Sequence, residues 1–377
     1  MTTSVRVSAP GKTILMGEHA AVYDRPALVA AVDRRATATL AAGDAAGRVR
    51  LELPQVGVSE ETTWDAVLVY SRRCRDAWRA YSEDPGPEAF ARVRGDDPAH
   101  LVKIALGEAA LHVGDDEPPP VDLRLDSEIP TGAGFGSSAA AAVATVDAYL
   151  ALRGAALAPE ELHRLTLEVE RRQHGLPSGV DNATVIHGGL VWAKKEEASG
   201  RFAVTPLAAR SSVLEGIRVF HSGPPAETTG AVVAAVRRRK QADPQRYEPV
   251  FDRMEAATWD LRRELEKERA SPARMVELLR GFEACLEELG VVPEPIREVV
   301  RRVERQGGAA KISGAGALTG RGAGALLVYH PDPGVVDGWG FLGGLERLDL
   351  RLGAEGVRRS PPSLRLLVLP FVLALGS

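Results

Sequence analysis

Ile129-Pro130-Thr131-Gly132-Ala133-Gly134-Phe135-Gly136-Ser137-Ser138-Ala139-Ala140 is the stretch on which the reading of the fold turns. Ahead of it, Val121-Asp122-Leu123-Arg124-Leu125 alternates with the period of a half-buried strand. Behind it, the alanine-rich run 138–152 has strong helix propensity. A strand therefore feeds a turn of three glycines, which opens a helix with two hydroxyl residues at its start. Glycines allow close backbone approach, and the unpaired N–H groups and positive dipole end of the helix favour an anion, most naturally the phosphates of a nucleotide. A sharp turn before an ordinary capped helix would use the same residues, so the stretch needs partners elsewhere in the chain.

Three other segments supply them. Upstream, Ser8-Ala9-Pro10-Gly11-Lys12 is followed by Met16-Gly17-Glu18-His19. Its Gly-Lys-Thr tripeptide suggests a P-loop, but that motif needs a glycine five positions before Gly11, where Arg6 stands. Downstream, Glu170 lies on a helical pattern, and the turn His174-Gly175-Leu176-Pro177-Ser178-Gly179-Val180 delivers Asp181-Asn182 from a loop. Phosphoryl transfer needs little more than such a set: a metal ligand, a carboxylate to accept or orient a proton, and a lysine. Alone, the same two acids read as a helix end and a solvated turn. The last segment, Lys311-Ile312-Ser313-Gly314-Ala315-Gly316, is a second glycine-rich turn, which a simple hairpin would also explain.

Working outward, residues 4–8 read as a strand, Pro10-Gly11 as a turn and 13–16 as a second apolar run. Further strands are expected at 27–40 and 49–53. Segment 61–114 is helical in pattern, broken by Pro/Gly/Asp-rich stretches at 84–87 and 95–98. A helix is expected from Pro159 to about Gln173, a strand over 183–192, and a hairpin or domain-level linker over 194–201. After a strand at 217–220 come helical patterns at 229–240, 245–270, 272–289 and from Pro293 to the Gly307-Gly308 pair. After Ala310-Lys311-Ile312 and the second glycine-rich turn, strands are expected at 325–329 and near 348–352. The order lacks regular βαβα alternation, which favours α+β over a doubly wound sheet. At 377 residues, two packed domains are expected rather than one.

In order, APGK…GEH, PTGAGFGSSAA, HGLPSGVDNA and KISGAGA, spread from residue 8 to residue 316, resemble the galactokinase–homoserine kinase–mevalonate kinase–phosphomevalonate kinase (GHMP) superfamily. Within it, galactokinases follow Gly-Glu-His with Thr-Asp, where this chain has Ala20-Ala21. Diphosphomevalonate decarboxylases lack the Gly-Glu-His pattern, and bacterial phosphomevalonate kinases tend to carry Tyr at the place of His19. Residues 177–182 are similar to the mevalonate kinase form. The resemblance implies an N-terminal ribosomal-protein-S5-like domain over 1–205, a C-terminal ferredoxin-like α+β domain over 206–360, and an apolar tail, 361–377, outside the family pattern. It also implies ATP and Mg²⁺ as cofactors and mevalonate as the acceptor. The rivals are a related kinase of another hydroxy acid, sugar or phosphomevalonate, and an inactive metabolite-sensing relative.

Residue by residue, the resemblance implies Asp181 and Lys12 as the catalytic pair. Glu18, His19 and either Thr228 or Thr229 would contact the acceptor. Gly132, Ala133, Gly134, Phe135, Gly136, Ser137 and Ser138 would wrap the ATP phosphates, with Ser313, Gly314 and Ala315 beside them. Ser138 and Glu170 would hold Mg²⁺. The chemistry agrees: an alcohol is a poor nucleophile at neutral pH, a lysine ammonium favours developing alkoxide charge, and Asp181 either takes the proton or orients the hydroxyl. One departure is Ala317-Leu318-Thr319-Gly320-Arg321, which replaces the family's further glycines and could reshape the loop beside the nucleotide.

Composition excludes other classes. Hydrophobic residues make up 45% and charged residues 26%, as in a soluble globular protein. A net charge of −4 and only 5% aromatics leave no footprint for nucleic acid. Cys74 and Cys285 stand in no metal or redox spacing. No targeting leader or membrane-spanning run is read, so a cytoplasmic enzyme without membrane partners is expected, acting on a small molecule and compatible with a homodimer. His174 and His187 read as turn or sheet packing, Trp64, Trp78 and Trp192 as packing, and Arg237-Arg238-Arg239-Lys240 as a solvated helix face. The tail, with its apolar run 364–375 broken by Pro370, is expected to pack on the C-terminal domain or a neighbouring subunit.

Overall fold

In the computed structural model the described residues are 4–84, 86–115, 117–130, 132–175, 177–196, 202–208 and 212–360. The tail 361–377 lies outside them, as do Thr131 and Leu176. In chain order the strands are β1 (Ser4–Met16), β2 (Ala27–Ala42), β3 (Arg48–Leu53), β4 (Val58–Thr63), β5 (Val121–Ser127), β6 (Leu190–Lys195), β7 (Phe202–Leu207), β8 (Ile217–His221), β9 (Ala309–Ser313), β10 (Ala325–Tyr329), β11 (Glu346–Leu348) and β12 (Arg358–Ser360). The helices are α1 (Trp64–Glu83), α2 (Pro87–Arg94), α3 (His100–His112), α4 (Ser137–Leu152), α5 (Pro159–His174), α6 (Val180–His187), α7 (Thr229–Ala242), α8 (Pro244–Leu265), α9 (Pro272–Leu289), α10 (Glu294–Arg305) and α11 (Pro333–Asp337).

The first sheet has eight strands in the order β12-β1-β2-β5-β3-β4, with β6 pairing β2 and β7 pairing β6. Only β3 and β5 run parallel; the other pairs are antiparallel. Helix α4 packs on β1 and β2, and α3, α5 and α6 pack on α4. Alanines fill most of its first turns, so α4 is buried almost all round and sits close to the sheet. The second sheet, β11-β8-β10-β9, is wholly antiparallel, with α9 and α10 packed against β9. The architecture is α+β.

Four local expectations are corrected. Pro10-Gly11 is not a turn: β1 runs straight through, and the partner strand absorbs the irregularity, because Pro10 pairs with Arg35 while Gly11 pairs with Val32. A proline that cannot donate to the ladder and a glycine beside it mark a bulge rather than a chain reversal. Of the strand expected over 183–192, residues 183–187 belong to helix α6 and only 190–192 are strand, within β6. The β-branched run there suggested a strand, but left-handed Gly179 starts a helix whose Thr184 hydroxyl donates to the Val180 carbonyl, and buried packing on α4, α5 and β1 outweighs propensity. The strand expected near 348–352 ends at Leu348, with a single bridge from Val32 to Leu352 beyond it. The Arg237–Lys240 run is not merely solvated: Arg239 donates to the carbonyls of Leu289 and Gly290, and Lys240 pairs with Glu248 and lies over the Tyr23 and Phe251 rings.

Strands β6 and β7 pair antiparallel over their full lengths, Leu190–Lys195 with Phe202–Leu207, so β7 crosses the 205/206 division and belongs to the first sheet. After β11 the chain returns to that sheet, where β12 lies antiparallel on β1 and Arg359 pairs with the buried Asp147 of α4.

Candidate functional site

Five elements converge where the first sheet meets the second. Strand β1 carries Lys12 past the bulge. The Lys12 N–H donates to the Phe135 carbonyl at 2.9 Å, which ties the strand to the glycine turn before α4. Gly11 is needed for that approach, because a Cβ there would lie 2.9 Å from the Phe135 oxygen. Gly136 has φ +69°, and a Cβ on it would come within 2.8 Å of the Lys12 Cγ. The lysine stem therefore passes directly over the helix start. Gly136 caps α4 without any side-chain hydrogen bond to the first turn, so that turn's N–H groups keep the polarity suited to an anion.

Lys12 Nζ lies 3.1 Å from Asp181 Oδ1. Asp181 stands in the first turn of α6 and is partly exposed, whereas Lys12 is buried. The preceding Gly179 is fixed by its carbonyl, 2.9 Å from His163 Nε2. Glu170, one turn from the end of α5, is 3% exposed. Burial, then the nearby Asp181 charge, pushes its carboxyl up to about 8, against opposing pulls from the Ser138 hydrogen bond and then Lys12. The Ser138 hydroxyl is 3.3 Å from Glu170 Oε2, and Glu170 Oε1 has no partner although it is buried.

That donor set fits a divalent cation. An uncompensated buried carboxyl with a free oxygen, a hydroxyl beside it and a second carboxylate nearby are hard oxygen ligands on a charge-deficient spot. Among the described residues no cluster of three or more His, Cys, Asp and Glu is able to hold a metal. Mg²⁺ suits such a site, since it takes one or two protein oxygens and completes its shell with phosphates and water.

Of the acceptor-side candidates, Glu18 and His19 are buried. Glu18 is 3% exposed and forms an ion pair with Lys311, itself fully buried, at 2.5 Å. Lys311 also donates to the Ile312 carbonyl and lies over the Phe282 ring. Burial raises the Glu18 pKa while Lys311 lowers it. His19 has φ +57° and ψ −43°, and the Ala20 N–H reaches back to the Glu18 carbonyl at 2.6 Å. This is a γ-turn of the rare, strained hand, of a kind costing about 1–3 kcal/mol. It persists because both flanks are held: Glu18 by Lys311, and His19 Nε2 by the Ala315 carbonyl at 2.9 Å. A carbonyl only accepts, so Nε2 carries the proton and Nδ1, buried and without a partner, is left as an acceptor. Burial holds the His19 pKa down, in keeping with a neutral ring.

The Ser313 hydroxyl is hydrogen-bonded to β1. The Oγ donates to the Ile14 carbonyl at 3.0 Å, accepts from the Ile14 N–H at 3.0 Å, and is 2.9 Å from Thr13 Oγ1. Gly314 and Ala315 follow in the turn beside it. Thr228 caps α7, accepting from the Ala231 N–H at 3.3 Å, and Thr229 is the exposed first residue of that helix. The divergent segment after the third motif is clamped to the loop before α7, since Glu227 accepts from the Leu318 N–H at 2.9 Å and from the Thr319 hydroxyl at 2.5 Å.

Three participants escaped the sequence reading. Lys311 opens the last glycine-rich segment and is one of only seven lysines beside forty arginines, but the sequence reading gives it no role. Glu283, fully buried and pushed up to about 8 by burial, accepts from the Ile312 N–H, and nothing in its helix pattern marks it. His174 is not mere turn packing: its Nε2 lies 2.9 Å from Ser138 Oγ. The four-residue spacing from Glu170 on one helix face was the available signal. Elsewhere, a cavity of about 380 Å³ is lined by Arg75, Arg172, Glu108 and Glu168, whose charges pair with one another.

Residues 100–189 match the family described as the GHMP kinases N terminal domain. The chain is 31% identical to a mevalonate kinase of Pyrococcus horikoshii over 371 residues, covering 95% of this chain and 98% of that one. Among solved structures, the L. major mevalonate kinase in complex with R-mevalonate superposes with a TM-score of 0.68 at 21% identity, covering 93% of this chain and 96% of that one. The Streptococcus pneumoniae phosphomevalonate kinase, in complex with phosphomevalonate and AMPPNP, gives 0.65 at 18% identity, covering 92% and 99%.

Proposed function

The chain belongs to the GHMP kinases, as an ATP-dependent kinase of the mevalonate kinase type, and from that premise we propose that it phosphorylates the primary hydroxyl of mevalonate, giving 5-phosphomevalonate and ADP. The observation that carries the proposal is the 3.1 Å contact between Lys12 Nζ and Asp181 Oδ1 beside buried Glu170. An alcohol entering there meets a carboxylate to receive its proton and an ammonium to stabilise the alkoxide that develops. Asp181 holds that proton as the oxygen attacks the terminal phosphorus, and Lys12 keeps both the carboxylate and the nascent alkoxide charge in register.

Ser138 and Glu170 would hold Mg²⁺, which when bound neutralises charge on the outer phosphates. The uncapped first turn of α4 receives phosphate oxygens on its N–H groups. On the acceptor side, His19 Nδ1 is a fixed acceptor for a hydroxyl proton. Glu18 supports the γ-turn through Lys311 and is not free to bind substrate with the oxygen so engaged. Thr229 is the better of the two threonines for the acceptor, because the Thr228 hydroxyl is engaged as a helix cap.

The test is ADP release measured with mevalonate, phosphomevalonate, galactose and homoserine in parallel. Turnover is expected with mevalonate. Turnover of one of the others with none of mevalonate would overturn the substrate, and nucleotide binding without turnover of any would overturn the catalytic reading.

A further inference from the structure

His174 ends α5 four residues after Glu170, so both side chains leave the same helix face toward the start of α4. They meet on one atom: Ser138 Oγ lies 2.9 Å from His174 Nε2 and 3.3 Å from Glu170 Oε2. A serine hydroxyl has one hydrogen and two lone pairs. If the hydrogen points at Glu170, it occupies a carboxylate oxygen and turns the wrong side of the hydroxyl toward any cation the two residues share. For both oxygens to act as ligands the hydrogen must leave the Glu170 side. Among the described residues the other hydrogen-bonding partner of that hydroxyl is His174 Nε2, and it is the nearer of the two.

We propose that His174 is a positioning residue: its Nε2 accepts the Ser138 hydroxyl hydrogen and so leaves an Oγ lone pair free for Mg²⁺. The ring is then in the tautomer protonated on Nδ1. Its place is set from outside the site. The helix end is closed by the Gly175 N–H on the Arg171 carbonyl at 2.9 Å, and the Arg172 carbonyl is held by His100 Nε2 at 3.2 Å. A group that orients a metal-binding side chain commonly changes metal affinity by about 10–100-fold when removed. A histidine that only finished a helix would not distinguish a metal-bound nucleotide from a metal-free one.

The inference rests on the assignment of Ser138 and Glu170 to Mg²⁺, and the experiment separates the two. ADP is titrated calorimetrically into wild type, His174→Leu and His174→Gln, with and without Mg²⁺ and with no acceptor present. Thermal unfolding of each variant is recorded alongside. The glutamine amide oxygen reaches roughly where Nε2 stands, so it can accept the same hydrogen. Expected is a loss of about tenfold in MgADP affinity for His174→Leu, a change under about twofold for metal-free ADP, and recovery of most of the loss in His174→Gln. Unchanged MgADP affinity in a folded His174→Leu overturns the proposal. So does an equal loss with and without Mg²⁺, which would make His174 part of the loop's shape, or a folded His174→Gln no better than leucine. If wild type binds ADP equally with and without Mg²⁺, the metal assignment falls and this proposal falls with it. The mevalonate assignment is untouched by every one of these outcomes, because no acceptor is used.

Discussion

The two glycine-rich turns, residues 132–138 and 311–316, look alike in composition and behave as opposites. The first ends on a helix start with no side-chain cap, beside the Ser138 hydroxyl, the buried Glu170 with one unpartnered oxygen, and the Lys12–Asp181 pair. The second is saturated from within. The Ser313 hydroxyl is pinned to β1, the Ala315 carbonyl receives His19, Lys311 is paired to Glu18, and the Ala317 N–H donates to the Val291 carbonyl at 2.9 Å. A Cβ on Gly316 would lie 2.2 Å from that same Val291 oxygen, so this glycine serves packing. The difference teaches that glycine content alone does not identify a ligand cradle; the count of partners already satisfied does.

The contrast breaks most visibly through chemistry. Asp181→Ala, beside the open turn, should lower kcat by about 10²–10⁴-fold while ADP still binds. Steady-state kinetics paired with nucleotide titration checks this, and a variant keeping more than half its activity would remove Asp181 from its role. The saturated turn should answer in stability instead. Lys311→Met leaves Glu18 buried and uncompensated, so a loss of about 3–5 kcal/mol is expected. The double variant Glu18→Gln/Lys311→Met should recover most of it, because two neutral side chains then replace the pair. Chemical denaturation of the three proteins decides, and a double variant as weak as the single one would show that the pair itself is not the cause.

Glu283 sharpens the picture through pH. Its folded pKa of about 8 lies above the ordinary carboxylate range, so the folded chain holds this proton more tightly than the unfolded one. That contribution to stability is present at low pH and is lost as pH rises from the unfolded value, roughly 4.3, to about 8. Glu170 acts in the same direction. Glu283→Gln should therefore flatten part of the decline, and it should gain on wild type as pH approaches 8. Unfolding midpoints measured across that range test it; parallel curves for the two proteins would contradict the assignment. The smallest effect belongs to the α7 cap. Thr228→Ala should cost about 1 kcal/mol with little change in the acceptor KM, whereas Thr229→Ala should raise that KM. A reversed pattern would exchange the two threonines.

Much of the site was legible before any coordinates. Lys12, Ser138, Glu170 and Asp181, each singled out from a short local pattern, are brought together by the fold. Most helices were legible too: the 272–289 pattern is helix over that same span, and the 325–329 pattern is a strand. The errors fell where local signals compete. The β-branched run of α6 resembled a strand, and Pro10-Gly11 resembled a turn, because propensity is blind to the neighbours that overrule it.

What the chain determined by itself is the chemistry: a glycine turn before an alanine-rich helix, a lysine on a strand and two acids around a loop. Tertiary structure alone decided the commitments. Glu18 and Lys311 are 293 positions apart, Thr13 and Ser313 are 300, and Ser138 and His174 are 36. No local period links such pairs. A carboxylate or a hydroxyl reads the same in sequence whether it faces a ligand or a buried lysine. Which of these it meets depends on how two sheets dock, and burial then makes the choice binding, because a polar group cut off from water must keep whatever partner the fold has brought to it.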